Sequence, residues 1–135
     1  MVLLTGNNKI KIAVFISGRG SNLKSIINFS KKKNSPISIK LVISDNSSAK
    51  GLSISRKNKI YTKVVEYKKK ISAENKILKL LNSKKIELIC LAGFMKVLSA
   101  YFIKKSKLKI LNIHPSLLPK YKGLNTHYKV LKNNE

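Results

Sequence analysis

Three short clusters in this 135-residue chain combine residue types and spacings that could do chemistry. The richest is Asn112-Ile113-His114-Pro115-Ser116. An amide donor beside an imidazole suits acyl transfer, because Asn112 can stabilise an oxyanion while His114 relays a proton. Residues two apart on an extended strand share a side, so both groups would reach one reacting centre. Taken alone, His114 reads equally as a satisfied hydrogen-bonding residue. His127 has no such neighbours and takes that plainer reading.

The second cluster is Ser17-Gly18-Arg19-Gly20-Ser21-Asn22. Two glycines permit close backbone approach, and a helix starting after them would turn unpaired N–H groups towards an anion. Ser21 and Asn22 could add side-chain donors, or Ser21 could simply cap an ordinary turn. The third glycine of a dinucleotide fingerprint is absent, and no ribose-binding acid is evident. The third cluster, Leu91-Ala92-Gly93-Phe94-Met95-Lys96, would let a planar ligand lie against the backbone at Gly93. Met95 offers an adaptable apolar wall there. The same residues also suit a strand end that closes over a core.

These clusters need elements to hold them, and the apolar pattern supplies a strand before each. Ile10–Ser17, Ile37–Ser44, Tyr61–Val65, Ile86–Ala92 and Lys109–Ile113 read as strands, rich in β-branched residues. Between them come segments of helical period. One starts at Ser21 and carries Leu23, Ile26, Ile27 and Phe29. Another runs through Leu52, Ile54 and Ser55. The clearest starts at Ser72 and places Ile77, Leu78, Leu80 and Leu81 opposite lysines. A fourth lies around Tyr101 to Lys105. The prolines and glycine between His114 and Asn125 predict loop, and a last helix is expected near Thr126. This alternation predicts a single α/β domain over residues 1–135, an open and mostly parallel sheet with helices on both faces. In such sheets ligands bind beyond the carboxyl ends of the strands, where all three clusters fall.

Composition narrows the class. The chain is 43% apolar and 25% charged, which is globular, and no apolar run approaches the roughly 18 residues of a membrane span. Met1 to Leu4 lack both a basic flank and a cleavage site, so no signal peptide is expected and the cytoplasm is the default. Cys90 is the single cysteine and reads as a small core residue. The formal charge of +24 suggests a nucleic-acid binder at first sight. Only Arg19 and Arg56 are arginines among the 29 cations, however, and the lysines are scattered. Arginine is the residue that forked phosphate and base contacts favour. A solvated lysine coat is the expected reading, with no nucleic acid as partner.

With these residues in view, the chain resembles the glycinamide ribonucleotide formyltransferases. The resemblance rests on SGRGSNL at Ser17 to Leu23, LAGFM at Leu91 to Met95, and NIHPSLLPKYKGLNTH at Asn112 to His127. It implies a Rossmann-like formyltransferase fold and the direct, metal-free transfer of a formyl group from 10-formyltetrahydrofolate to 5'-phosphoribosylglycinamide, in purine synthesis. It further implies that Gly20, Ser21 and Asn22 hold the substrate phosphate. Met95, Lys96, Val97 and Leu98 would line the formylfolate site, with Asn112 on the formyl group and His114 as proton carrier. Lys96 stands where the family often has arginine, and Lys70 is a candidate for a folate carboxylate.

The family pattern also carries a later strand and a loop with an aspartate that raises the pKa of the histidine. The acids present, Asp45, Glu66, Glu74, Glu87 and Glu135, match none of it. The chain is therefore expected to be the N-terminal two-thirds of such a domain, impaired by truncation, with a partner chain able to supply the remaining segment. Two other readings stand beside it. One is a methionyl-tRNA formyltransferase-like enzyme, against which the glycine cluster argues. The other is a non-catalytic, basic phosphate- or nucleic-acid-binding remnant.

Overall fold

A computed structural model describes residues 8–113. His114, His127, the loop expected from His114 to Asn125 and the helix expected near Thr126 lie outside the described residues. Five strands form one parallel sheet in the order β3-β2-β1-β4-β5: β1 (Ile10–Ile16), β2 (Ile37–Ser44), β3 (Thr62–Val64), β4 (Leu88–Ala92) and β5 (Lys109–Ile113). Four helices connect them: α1 (Ser21–Ser30), α2 (Gly51–Lys57), α3 (Lys70–Ser83) and α4 (Ala100–Ser106). The chain runs outward from β1 to β3, then returns to lay β4 on the other side of β1. That reversal between β1 and β4 is where open α/β sheets leave a ligand crevice.

Both faces of the sheet are covered, which is why the strand sequences are almost continuously apolar. On one face Ile12, Val14, Ile16, Val42, Cys90 and Ala92 pack under Leu23 and Ile27 of α1. On the other, Ala13, Phe15, Leu41, Ile43 and Ile89 pack under Ala73, Ile77 and Leu81 of α3 and Phe102 of α4. Side chains of this size stabilise by about 1.5–3 kcal/mol each when fully buried. Cys90 sits in the first of these layers, and burial pushes its thiol up to about 11. It is the core residue its surroundings in the sequence suggest.

One irregularity decides how β2 divides its side chains. Ile12 pairs with Ile39 but Ala13 pairs with Leu41, so Lys40 is left out of the ladder and exposed. Strict alternation would put Ile39, Leu41 and Ile43 on one face. The bulge sends Ile39 to the α1 layer and Leu41 and Ile43 to the α3 layer. A lysine between apolar residues can be tolerated here because the bulge turns it out to solvent.

Two helix starts differ from the sequence expectation. The N-terminus of α1 is capped not by Ser21 but by Gly20, at φ 85°, with no side-chain cap bond. Lys24 N–H closes the first turn on the Gly20 carbonyl at 2.8 Å, so Ser21 is already the first helical residue. Likewise α3 starts two residues before Ser72, because Ala73 N–H bonds the Lys69 carbonyl at 2.9 Å. This places Lys70 in the first turn of α3. Of the helices, α4 alone shows a side-chain cap: Ser99 Oγ accepts from Phe102 N–H.

Candidate active site

The two glycines of the first cluster behave differently. At Gly20 the backbone is left-handed, and an added Cβ would stand 2.6 Å from the Gly51 Cα. Here only glycine fits, because the turn between β1 and α1 approaches the start of α2 backbone to backbone, with Gly51 N–H donating to the Gly18 carbonyl at 3.0 Å. An added Cβ at Gly18 would meet nothing within 4 Å, so tight packing demands one glycine of the two. As at any helix start, the first N–H groups of α1, at Ser21, Asn22 and Leu23, lack intrahelical carbonyls. Its first turn contains no acidic residue, which leaves the positive end of the helix dipole uncompensated. Ser21 is exposed and Asn22 half-buried, and Asn22 borders an apolar groove of about 300 Å³ with Ile26, Leu88 and Leu111.

Leaving β4, the neighbouring strand, Gly93 again takes a positive φ of 78°, but an added Cβ there would meet nothing within 4 Å. Phe94 then turns inward and packs edge-on against Phe15, at 5.3 Å between ring centroids, and Tyr67, at 5.9 Å. With Phe94 as its anchor, the loop throws the next residues outward. Met95 is 76% and Val97 77% exposed, Lys96 is exposed and Leu98 half-buried. Two large apolar side chains are thus presented to solvent at the carboxyl end of β4. Asn112 of β5 pairs with Leu91, the residue two before Gly93, and is half-buried. It lies on the α3 and α4 side of the sheet with Ile110, whereas Leu111 and Ile113 face the other groove. Lys70 is exposed on α3, one turn before Glu74. His114 lies outside the described residues.

Contacts that the sequence does not reveal tie these pieces together. Ser17 Oγ donates to Asp45 Oδ1 at 2.5 Å and accepts from Met95 N–H at 2.8 Å. Asn46 Nδ2 donates to the Ser17 carbonyl at 3.2 Å. The carboxyl ends of β1, β2 and β4 are thus linked through one serine. At the far end of the loop the fully buried Glu74 accepts from Ser99 N–H at 2.9 Å and Ser99 Oγ at 2.5 Å. Tyr67, beneath Phe94, keeps a buried hydroxyl with no hydrogen-bond partner among the described residues. Burial first, then the charges of Glu74 and Asp45, hold its pKa well above the ordinary phenol value, so it remains a neutral donor. A signal existed for Glu74: it occupies a position in register with Ile77 and Leu81, where an acid on an apolar stripe must find partners.

The lysines are all at least partly exposed among the described residues, and Lys68–Glu66 is the single ion pair found there, at 3.8 Å between exposed side chains. A pair of that kind contributes little. No helix among the described residues is long and apolar enough to cross a membrane, and no group of three metal-ligating side chains occurs among them.

Residues 10–135 match the formyl transferase family, and the chain belongs to it. Among its relatives, the chain is 41% identical over 125 residues to the phosphoribosylglycinamide formyltransferase of Haemophilus influenzae, covering 90% of this chain and 59% of that one. It is 45% identical over 128 residues to the trifunctional purine biosynthetic protein adenosine-3 of Gallus gallus, covering 93% of this chain and 13% of the relative. The crystal structure of phosphoribosylglycinamide formyltransferase from Brucella melitensis superimposes with a TM-score of 0.77 at 39% identity, covering 93% of this chain and 67% of that one. The chain thus spans a small fraction of the trifunctional relatives and about three-fifths of the single-function one. The expected α/β fold is the one found.

Proposed function

We propose that the chain carries the substrate-binding part of a phosphoribosylglycinamide formyltransferase, working in the cytoplasm, with 10-formyltetrahydrofolate as formyl donor. The observation that carries this reading is the adjacency of two unlike half-sites across the β1/β4 reversal. One is a helix N-terminus suited to an anion, the other an exposed apolar loop suited to a planar ring. Gly20, Ser21 and Asn22 receive the phosphate of the ribonucleotide through backbone and side-chain donors. Met95, Lys96, Val97 and Leu98 receive the folate, and Lys70 meets its carboxylate.

In the transfer, the glycinamide amine attacks the formyl carbon of the donor and the carbonyl electron pair moves onto oxygen. The Asn112 amide stabilises that oxyanion. As the tetrahedral centre collapses, the bond to N10 of the folate breaks. His114 carries the proton from the attacking amine to the departing N10. Formyl transfer assayed with the purified chain tests the reading, with Asn112→Ala as control. The expected result is binding of both ligands with turnover strongly impaired, any residual turnover falling by about 100-fold or more in the variant. Binding of both ligands without turnover would keep the two half-sites and move the chemistry to a longer form of the protein. Binding of neither ligand overturns the reading.

A further inference from the structure

The loop that follows β4 is held in an unusual way. Met95 and Val97 project into solvent, so packing does not fix them, whereas Phe94 before them and the half-buried Leu98 after them pack against the core. Among hydrogen bonds between described residues, the only one made by residues 94–98 is Met95 N–H to Ser17 Oγ. The next tie is at Ser99, which Glu74 grips from α3. The exposed stretch is therefore suspended between two clasps, and the first of them belongs to another strand.

The chemistry of that first clasp is directional. A carboxylate can only accept, so the Ser17 hydroxyl must give its proton to Asp45 Oδ1. Its lone pairs are then left for Met95 N–H. Asp45 thus sets the rotor of Ser17, and Ser17 sets where the apolar wall begins. Ser17 is itself only 8% exposed, and Asn46 pins its backbone, so it has little freedom to follow the loop. It also precedes Gly20, the pivot that aims α1, by three residues.

We infer that Ser17, oriented by Asp45, is a positioning residue that fixes the Met95–Leu98 wall for the folate and sets its distance from the phosphate turn. The inference rests on the substrate reading above for the identity of the ligand, but not for the existence of the clasp.

Four variants of the full chain test it: Ser17→Ala, Asp45→Ala, Asp45→Asn and the Ser17→Ala/Asp45→Ala double variant. Two quantities are measured, the hydrogen-exchange rate of the Met95 amide by NMR and the calorimetric affinities for tetrahydrofolate and glycinamide ribonucleotide. Ser17→Ala should speed Met95 exchange about tenfold or more and weaken tetrahydrofolate about tenfold, as expected when a buried bond is lost. Ribonucleotide affinity should stay within about twofold, because the bonds around Gly20 are untouched. Asp45→Ala should move both quantities in the same direction. The double variant should be no worse than Ser17→Ala, because the two groups act through one chain of bonds. Asp45→Asn keeps an acceptor oxygen and should restore most of the loss.

Unchanged tetrahydrofolate affinity in Ser17→Ala overturns the inference, as does an equal fall for both ligands or an additive double variant. If the unmodified chain bound no tetrahydrofolate, the folate reading would fall instead. Met95 exchange would then decide by itself whether Ser17 holds the loop.

Discussion

The loops that leave β1 and β4 start side by side, each with a glycine at positive φ, yet they are built on opposite plans. Around Gly20 the backbone is walled in by Gly51, bonded through Gly18 and followed at once by helix. Around Gly93 there is open space, then one half-buried aromatic and a run of exposed side chains. The first arrangement suits a ligand group recognised by fixed N–H vectors, which lose value with any displacement. The second suits an apolar ring that must slide in against side chains. Rigidity is placed where directional bonds matter, and openness where contact area does.

The sharpest way to break that contrast is one alanine at each glycine. Gly20→Ala adds a left-handed residue and drives a Cβ to 2.6 Å from backbone that cannot step aside. The expected cost is about 3 kcal/mol, combining the left-handed penalty with overpacking. Gly93→Ala carries the left-handed penalty with no clash, and should cost about 1 kcal/mol. Urea unfolding midpoints of the two variants measure the difference. Equal losses would mean that the close approach of Gly20 to Gly51 does not constrain the fold.

The second clasp of the open loop gives the next effect. Glu74 is fully buried, and its carboxylate is met by both polar groups of Ser99. Glu74→Ala leaves Ser99 N–H without its partner, at an expected cost of about 2 kcal/mol. Cap geometry at Phe102 should survive, since Ser99 Oγ still accepts from Phe102 N–H. Helical content followed by circular dichroism should therefore stay constant while the unfolding midpoint falls. A fall in helical content would show that Glu74 supports α4 itself and not the loop alone.

Much of this could be read before any coordinates. The five strands and four helices follow from periodicity, because a sheet covered on both faces demands apolar runs such as those of β1 and β4. What periodicity misses is where the ladder skips. The bulge at Lys40 inverts the faces of Leu41 and Ile43, and no rule of alternation marks it. Helix starts escape sequence rules for a related reason. Serine is a good cap on average, but at Ser21 the close approach of Gly51 selects glycine as the turning residue, and the helix starts one residue early. The site was legible as three clusters at strand ends. Its wiring was not, because Ser17, Asp45 and Met95 are far apart in sequence and meet only through strand order. The register of Asn112 beside Leu91 is of the same kind.

The smallest effect concerns the floor of the open loop. Tyr67 packs edge-on against Phe94 and buries a hydroxyl without a partner among the described residues. Such a group loses its hydration and gains no bond in return. Tyr67→Phe keeps the ring contact and removes the stranded oxygen, so stability should hold or rise by up to about 1 kcal/mol. The same substitution at a hydroxyl that is in use would cost a comparable amount. Thermal melts without and with tetrahydrofolate separate the two cases. A gain without ligand that disappears when tetrahydrofolate is present would show that this phenol is held in reserve for the ligand. A gain that persists would make it a packing residue beneath Phe94, leaving the wall from Met95 to Leu98 to do the binding. A loss without ligand would mean that the hydroxyl is already bonded within the protein, and that the floor of the open loop is as firmly tied as the turn at Gly20.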